Sequence, residues 1–248
     1  MSGRTALADT VVARLLESIR EGRYPVDARL PRESELAEDA RVSRLTLREA
    51  VRVLRDKGVL RVEQGRGTFV NPPEHWSVLD PSLLHARLDR PGALAQAARQ
   101  LTEARSLVEV GGAGLAAQRR SAEDLAALWG TVDRMRQAHE GGDVAGFSAA
   151  DVAFHDTLAA AAGNPFLTGL LQPVRALLEE VRVATSTTAA MRDRAIEKHT
   201  EILRAVVAGD GEAARARMSE HMADTQQALD RIEGLEDPDR LAPAPVAG

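Results

Sequence analysis

The sequence predicts a mainly α protein: an N-terminal winged helix-turn-helix followed by a C-terminal all-α antiparallel helical bundle. Three observations carry that expectation. Aromatic residues are only 3% of the 248, while Ala, Leu, Arg and Glu abound, a mixture that favours helix over sheet. Apolar residues recur at helical spacing in two blocks, one near the N-terminus and one from residue 92 to about 235. Between the blocks, two strand-like runs flank a glycine-rich loop, Glu63-Gln64-Gly65-Arg66-Gly67.

In the first block Leu7, Val11, Val12, Leu15, Leu16 and Ile19 form one stripe on a helix over 6–21, stopped by Gly22. Tyr24-Pro25 begins a turn, and a short helix over 33–39 turns Leu36 and Ala37 inward. Ser43 is a good N-cap for a third helix over 44–57, since its hydroxyl can accept from an unpaired backbone N–H of the first turn. Gly58 takes the C′ position, where a left-handed conformation is wanted. Strands over 59–62 and 68–70 complete a winged helix-turn-helix domain over 1–71. Asn71-Pro72-Pro73, Pro81 and Pro91 mark 72–92 as a linker with one short helix over 81–88.

The second domain, 93–235, reads as helices over 93–119, 121–140, 143–162, 165–186, 188–208 and 211–234. Gly142-Asp143 and Gly209-Asp210 each set a C′ glycine beside an N-cap aspartate, and Ser121 with Asp124 makes a capping-box variant. Gly163-Asn164 before Pro165 marks another break. Gly111, Gly112 and Gly114 each cost roughly 1 kcal/mol against alanine inside a helix, which predicts a kink or a close helix contact there. The alanine- and proline-rich tail, 236–248, is expected to be disordered.

Charge is uneven along the chain. The net −5 divides into 14 Lys/Arg against 11 Asp/Glu over 1–71, and 18 against 26 over 72–248. Residues 41–66 carry eight basic and three acidic side chains, so one segment suits nucleic acid while the acidic body avoids it. The absence of cysteine excludes disulfides, thiolate metal sites and cysteine nucleophiles. No apolar run approaches the roughly 18 residues that span a bilayer, and no signal-peptide core follows Met1, so a cytoplasmic protein is expected.

In a helix-turn-helix the second helix enters the major groove, so its outward side chains should be long donors. Leu47, Val51 and Leu54 form the inward stripe of helix 44–57, and Arg44, Arg48, Arg52 and Arg55 fall on or near the opposite face. An arginine can bind guanine through O6 and N7, and Ser43 and Thr46 can serve phosphate or base. In the loop, Gly65 and Gly67 permit close backbone approach to a sugar-phosphate strand, with charge from Arg66.

The stretch over 30–70, LPRESELAEDARVSRLTLREAVRVLRDKGVLRVEQGRGTFV, resembles the DNA-binding domain of GntR-family bacterial transcription regulators. The resemblance implies operator contacts by Arg44, Thr46 and Arg48, with Gly65 and its neighbours in the wing. Where many members carry arginine directly after the glutamate of the second helix, this chain has Ser34, with Arg32 nearby; where a small polar residue is common, it has Leu45.

Among six histidines, His155 lies four residues after Asp151 on one helix face, and His199 and His221 fall mid-helix in two further helices. Three imidazoles and a carboxylate suit Zn²⁺, Ni²⁺ or Mn²⁺. Spacing alone favours reading them as isolated core or surface residues. The runs Asp151-Val-Ala-Phe-His155-Asp-Thr-Leu158, Lys198-His199 and Met218-Ser-Glu-His221 resemble the FCD effector domain of the FadR-type branch of GntR regulators. That resemblance implies Asp151, His155, His199 and His221 as metal ligands, and Arg105, in Glu103-Ala-Arg105-Ser-Leu107-Val-Glu109, as an anion clamp. The alternative role for Arg105 is a surface salt bridge with Glu109.

The expected function is a homodimeric, ligand-responsive repressor, not an enzyme. It binds double-stranded operator DNA and senses a small carboxylate, such as an organic or sugar acid, through a divalent metal, zinc first. Two alternatives stand beside it: a metal-dependent hydrolase fused to a DNA-binding domain, and a regulator whose metal is purely structural.

Overall fold

A computed structural model describes residues 3–80, 82–83 and 92–231. The chain divides into two compact units, Met1–Asp89 and Arg90–Gly248.

The first unit opens with α1 (Gly3–Arg20), whose Val11, Val12, Leu15, Leu16 and Ile19 are buried against α3. In α2 (Glu33–Asp39) the Glu35 carboxylate accepts the Arg32 backbone N–H at 3.0 Å. Ser43 caps α3 (Arg44–Asp56), its Oγ accepting the Thr46 N–H at 3.1 Å. Leu47, Ala50 and Leu54 on α3 are fully buried. Gly58 follows at φ +77°, and a Cβ there would lie 2.2 Å from the His75 carbonyl oxygen, so only glycine fits this stop. Strands β1 (Leu60–Glu63) and β2 (Gly67–Val70) pair antiparallel from Leu60↔Val70 to Glu63↔Gly67, with Arg29 bridging Phe69 at the outer edge. The segment read as a linker carries Trp76 and Leu83 into this core, and Trp76 Nε1 donates to the Asn71 carbonyl at 2.9 Å. Of the helix expected over 81–88, only Ser82 and Leu83 are described, and both are helical; the tail over 236–248 lies outside the described residues.

The second unit contains α4 (Ala93–Arg119), α5 (Ala122–Glu140), α6 (Val144–Ala161), α7 (Pro165–Leu171), α8 (Arg175–Ala184), α9 (Ala189–Ala208) and α10 (Gly211–Arg231). Its core gathers Leu128, Met135, Phe147, Phe154, Ile202, Leu203 and Met218, all fully buried. The caps fall where the punctuation placed them: Ser121 and Asp124 exchange side-chain and backbone bonds, and the Asp143 carboxylate accepts from the Gly146 N–H at 2.9 Å. The helix expected over 165–186 is instead two, separated by a 3-10 turn at Gln172–Val174. Pro173 accounts for the break, because it has no N–H to offer the fourth carbonyl back and its ring crowds that carbonyl. The glycine cluster does not interrupt α4. Of the three, Gly114 faces α10: a Cβ there would lie 2.5 Å from Arg215 Nε, and one on Gly211 would lie 3.1 Å from the Gly114 carbonyl, whereas a Cβ on Gly111 would meet open space.

Candidate functional site

Two sites stand out, one in each unit. In the first, the Ser43 cap fixes where α3 begins, and the exposed face of its first turns carries Arg44, Leu45 and Arg48. Thr46 is set apart from that face. It is only 4% exposed, and its hydroxyl lies 2.9 Å from Ser43 Oγ, so it completes the cap. A groove of about 500 Å³ runs between α2, α3 and the hairpin, lined by Arg32, Arg44, Arg48 and Gly65 among others. Arg48 Nε donates to Glu33 at 2.8 Å and Arg52 Nη2 to Glu49 at 2.6 Å, pairs open to solvent. Exposed pairs of this kind contribute little to stability, so a guanine edge or phosphate can take the place of the carboxylate. In the wing Gly65 has φ +75° with open space on its Cβ side. Arg66 pairs with Glu63 and sits 5.7 Å from the Phe69 ring centre.

In the second unit the structure brings together the three histidines singled out as metal ligands, with Asp151 beside one of them, His199. His155 and Asp151 come from α6, His199 from α9 and His221 from α10, and one ring nitrogen of each histidine lies within 4.8 Å of the others. His199 Nδ1 donates to the Ala195 carbonyl at 2.7 Å, which leaves its Nε2 a bare acceptor. That Nε2 lies 3.1 Å from His155 Nε2 and 3.3 Å from Asp151 Oδ1. His155 Nδ1 approaches the Glu109 carboxylate at 2.5 Å without hydrogen-bond alignment, and His221 Nε2 is buried with no hydrogen-bond partner among the described residues.

Electrostatics follow from burial. It pushes the Asp151 carboxyl up to about 6, and lowers His199 to about 3 and His221 well below the usual histidine value. Glu109 runs the other way. Burial opposes its charge, but the Arg105 guanidinium and His155 outweigh that and hold it well below the carboxylate range.

Arg105 is not at the surface. It is 1% exposed, Nε donates to Glu109 Oε1 at 2.6 Å, and Nη1 has no hydrogen-bond partner among the described residues. From the sequence Glu109 is expected only as a salt-bridge partner of Arg105, and Arg182 has no expected role. Glu109 touches both Arg105 and His155, and Arg182, 4% exposed on α8, pairs through Nε with Asp151 Oδ2 at 2.7 Å. The available signal for Arg182 was its place among the buried Leu177, Leu178 and Val181, where a lone guanidinium needs a buried partner. Arg182 lines two cavities. One, of about 40 Å³, also touches Arg105, Glu109, His155 and Arg175; the other, of about 440 Å³, also touches Asp151, Ser186, Lys198, His221 and Thr225.

A helix-turn-helix with a glycine wing, together with an all-helical unit holding a buried polar cluster, defines a winged-helix DNA-binding regulator. Residues 7–70 match the model of the bacterial regulatory proteins of the gntR family, and residues 100–224 that of the FCD domain. The chain is 32% identical over 219 residues to the HTH-type transcriptional regulator LutR of Bacillus subtilis (strain 168), covering 85% of this chain and 95% of that one. It is 30% identical over 227 residues to the galactonate operon transcriptional repressor of Escherichia coli (strain K12), covering 90% and 97%. The solved structure of Lar, which controls the expression of the Listeria monocytogenes agr system, matches with a TM-score of 0.57 at 21% identity, over 91% of this chain and 97% of that one, a likeness of fold. The chain belongs to the GntR family of bacterial regulatory proteins and carries an FCD domain; it is a DNA-binding transcription regulator, not an enzyme. Among the described residues no helix is long and apolar enough to cross a membrane.

Proposed function

We propose that this regulator is a homodimeric repressor whose helical domain holds a divalent metal ion and responds to a small carboxylate. One observation carries the metal. Ring nitrogens of His155, His199 and His221, one from each, converge; His199 Nε2 lies 3.1 Å from His155 Nε2 and 3.3 Å from Asp151 Oδ1, and Arg182 pairs with the other oxygen of Asp151. Lone pairs that close repel unless a cation sits among them, and three imidazoles with a carboxylate suit zinc, with nickel or manganese as alternatives. Asp151, His155, His199 and His221 would hold it. The ion would supply a Lewis-acid anchor for an effector carboxylate.

The chain's own residues then orient that effector. Arg105 keeps Nη1 free beside the smaller cavity, so a carboxylate arriving there gains a charge-assisted bond without displacing Glu109. The larger cavity offers the Ser186 and Thr225 hydroxyls to an organic or sugar acid, while Lys198 on its wall is held by Glu201 and Glu220. The name of the galactonate operon repressor supports both the sign of regulation and this ligand class. Effector binding favours one dimer geometry, changes the spacing of the two recognition helices, and by linkage operator DNA weakens effector binding by the same factor. One recognition helix reads too few base pairs to find a site in a genome, so two copies on a two-fold operator are needed.

Elemental analysis of purified protein, with a thermal-shift screen of carboxylates before and after chelation, tests the proposal. The expected result is about one metal per chain, lost in His199→Ala and Asp151→Ala, and a stabilising acid whose effect needs the metal. Full occupancy in both variants refutes the metal site. Metal-dependent stability with carboxylates binding equally well after chelation assigns the ion a structural role instead.

A further inference from the structure

One apolar side chain on α3 points away from the core. Leu45 is 60% exposed, whereas Leu47, Ala50, Val51 and Leu54 on the same helix are buried. Nine residues separate Leu45 from the fully buried Leu54, which at about 3.6 residues per turn is two and a half turns. Leu45 therefore stands opposite the core, on the midline of the outward face. An exposed leucine by itself carries no message. This one occupies the second position of the helix, immediately after the Ser43 cap, with Arg44 beside it and Arg48 three residues on. The long side chains nearby are drawn elsewhere: Arg48 reaches across to Glu33 on α2, and Arg52 holds Glu49. Thr46, the neighbouring hydroxyl, is turned inward to Ser43. The tip of the outward face is thus a leucine flanked by two guanidinium groups.

A helix that docks in the major groove presents its midline to the groove floor, and the apolar group on that floor is the C5-methyl of thymine. We infer that Leu45 is a specificity-determining residue that reads a thymine methyl next to the bases contacted by Arg44 and Arg48. Leucine has no hydrogen-bonding group to satisfy. It contributes by covering the methyl, and it disfavours a cytosine at that position, whose amino group would lose water without gaining an acceptor.

The experiment selects sites from a randomised duplex library with the wild-type protein, then replaces each thymine of the selected site in turn by deoxyuridine, which deletes only the methyl. One thymine per half-site should show weakened binding, by about four-fold, the factor expected for one buried methyl. Leu45→Ser should bind dT and dU duplexes equally at that position, Leu45→Met should keep the discrimination, and both should melt like wild type. Tolerance of deoxyuridine at every thymine by wild type overturns the assignment. So does an undiminished uracil penalty in folded Leu45→Ser.

Discussion

Glu109 Oε2 lies 2.5 Å from His155 Nδ1, while Nε2 of the same ring lies 3.1 Å from His199 Nε2. At that distance the carboxylate's charge favours the proton on Nδ1 although the pair is not aligned as a hydrogen bond, which leaves Nε2 the acceptor toward His199. Glu109 also neutralises Arg105, which is otherwise a buried lone cation. Glu109→Gln should therefore lower metal affinity roughly 10- to 100-fold while helical content persists. Competition against a chelator of known affinity measures it, and unchanged affinity in the folded variant removes Glu109 from the site.

Arg44→Ala and Arg48→Ala should each weaken specific operator binding by about 1–3 kcal/mol if their guanidinium groups bind guanine bidentately. Glu33 should not prevent this, because its pair with Arg48 is solvent-exposed. Band-shift titration at fixed salt checks both, and affinity unaltered in the two variants sinks the assignment of α3 as the reading helix.

Acid should destabilise the metal-free protein. His199, near 3 when folded against 6.5 unfolded, contributes stability that is complete above 6.5 and is lost as pH falls toward 3; His221 acts in the same direction. Asp151, at about 6 when folded against 3.8, does the reverse: its protonation between 6 and 3.8 adds stability. From pH 7 to pH 5, His199 alone removes about 2 kcal/mol and Asp151 returns about 1 kcal/mol. The melting temperature should fall over that range, more steeply in Asp151→Asn and less steeply in His221→Asn. The opposite order would contradict the signs of these two contributions.

Gly58 and Gly65 share a left-handed backbone but not surroundings. Gly65→Ala meets open space and should cost only the conformational penalty, about 1 kcal/mol. Gly58→Ala adds a clash with the His75 carbonyl and should cost at least about 2 kcal/mol. Urea denaturation of the two variants compares them directly; equal losses would show that the chain near His75 yields freely.

The helices and hairpin were legible because their signals are local. Ser43, Gly58, Asp143 and Gly209 act on the turns beside them, and the boundaries they mark hold to within a residue or two. Pro173 was an equally local signal, and reading 165–186 as one helix overlooked it. The proposed ligand set was legible only through family resemblance, since D-x-x-x-H spacing is common on helices. Arg182 shows the limit. Its partner Asp151 is on another helix, and no spacing rule links positions so far apart in the chain. Thr46 differs again: a hydroxyl at the start of a recognition helix can face DNA or its own cap, and packing against the core decides that.

The most direct test of the account measures operator affinity with and without a carboxylate found in the thermal-shift screen, in wild type, Arg105→Lys and Arg105→Ala. Wild type should release the operator as the acid is added. Both variants should bind operator with wild-type affinity in its absence and need far more acid for release, with Arg105→Lys retaining part of the response because it keeps a charge opposite Glu109. Release of both folded variants at the wild-type concentration of acid would contradict the account, leaving Arg105 only its ion pair with Glu109.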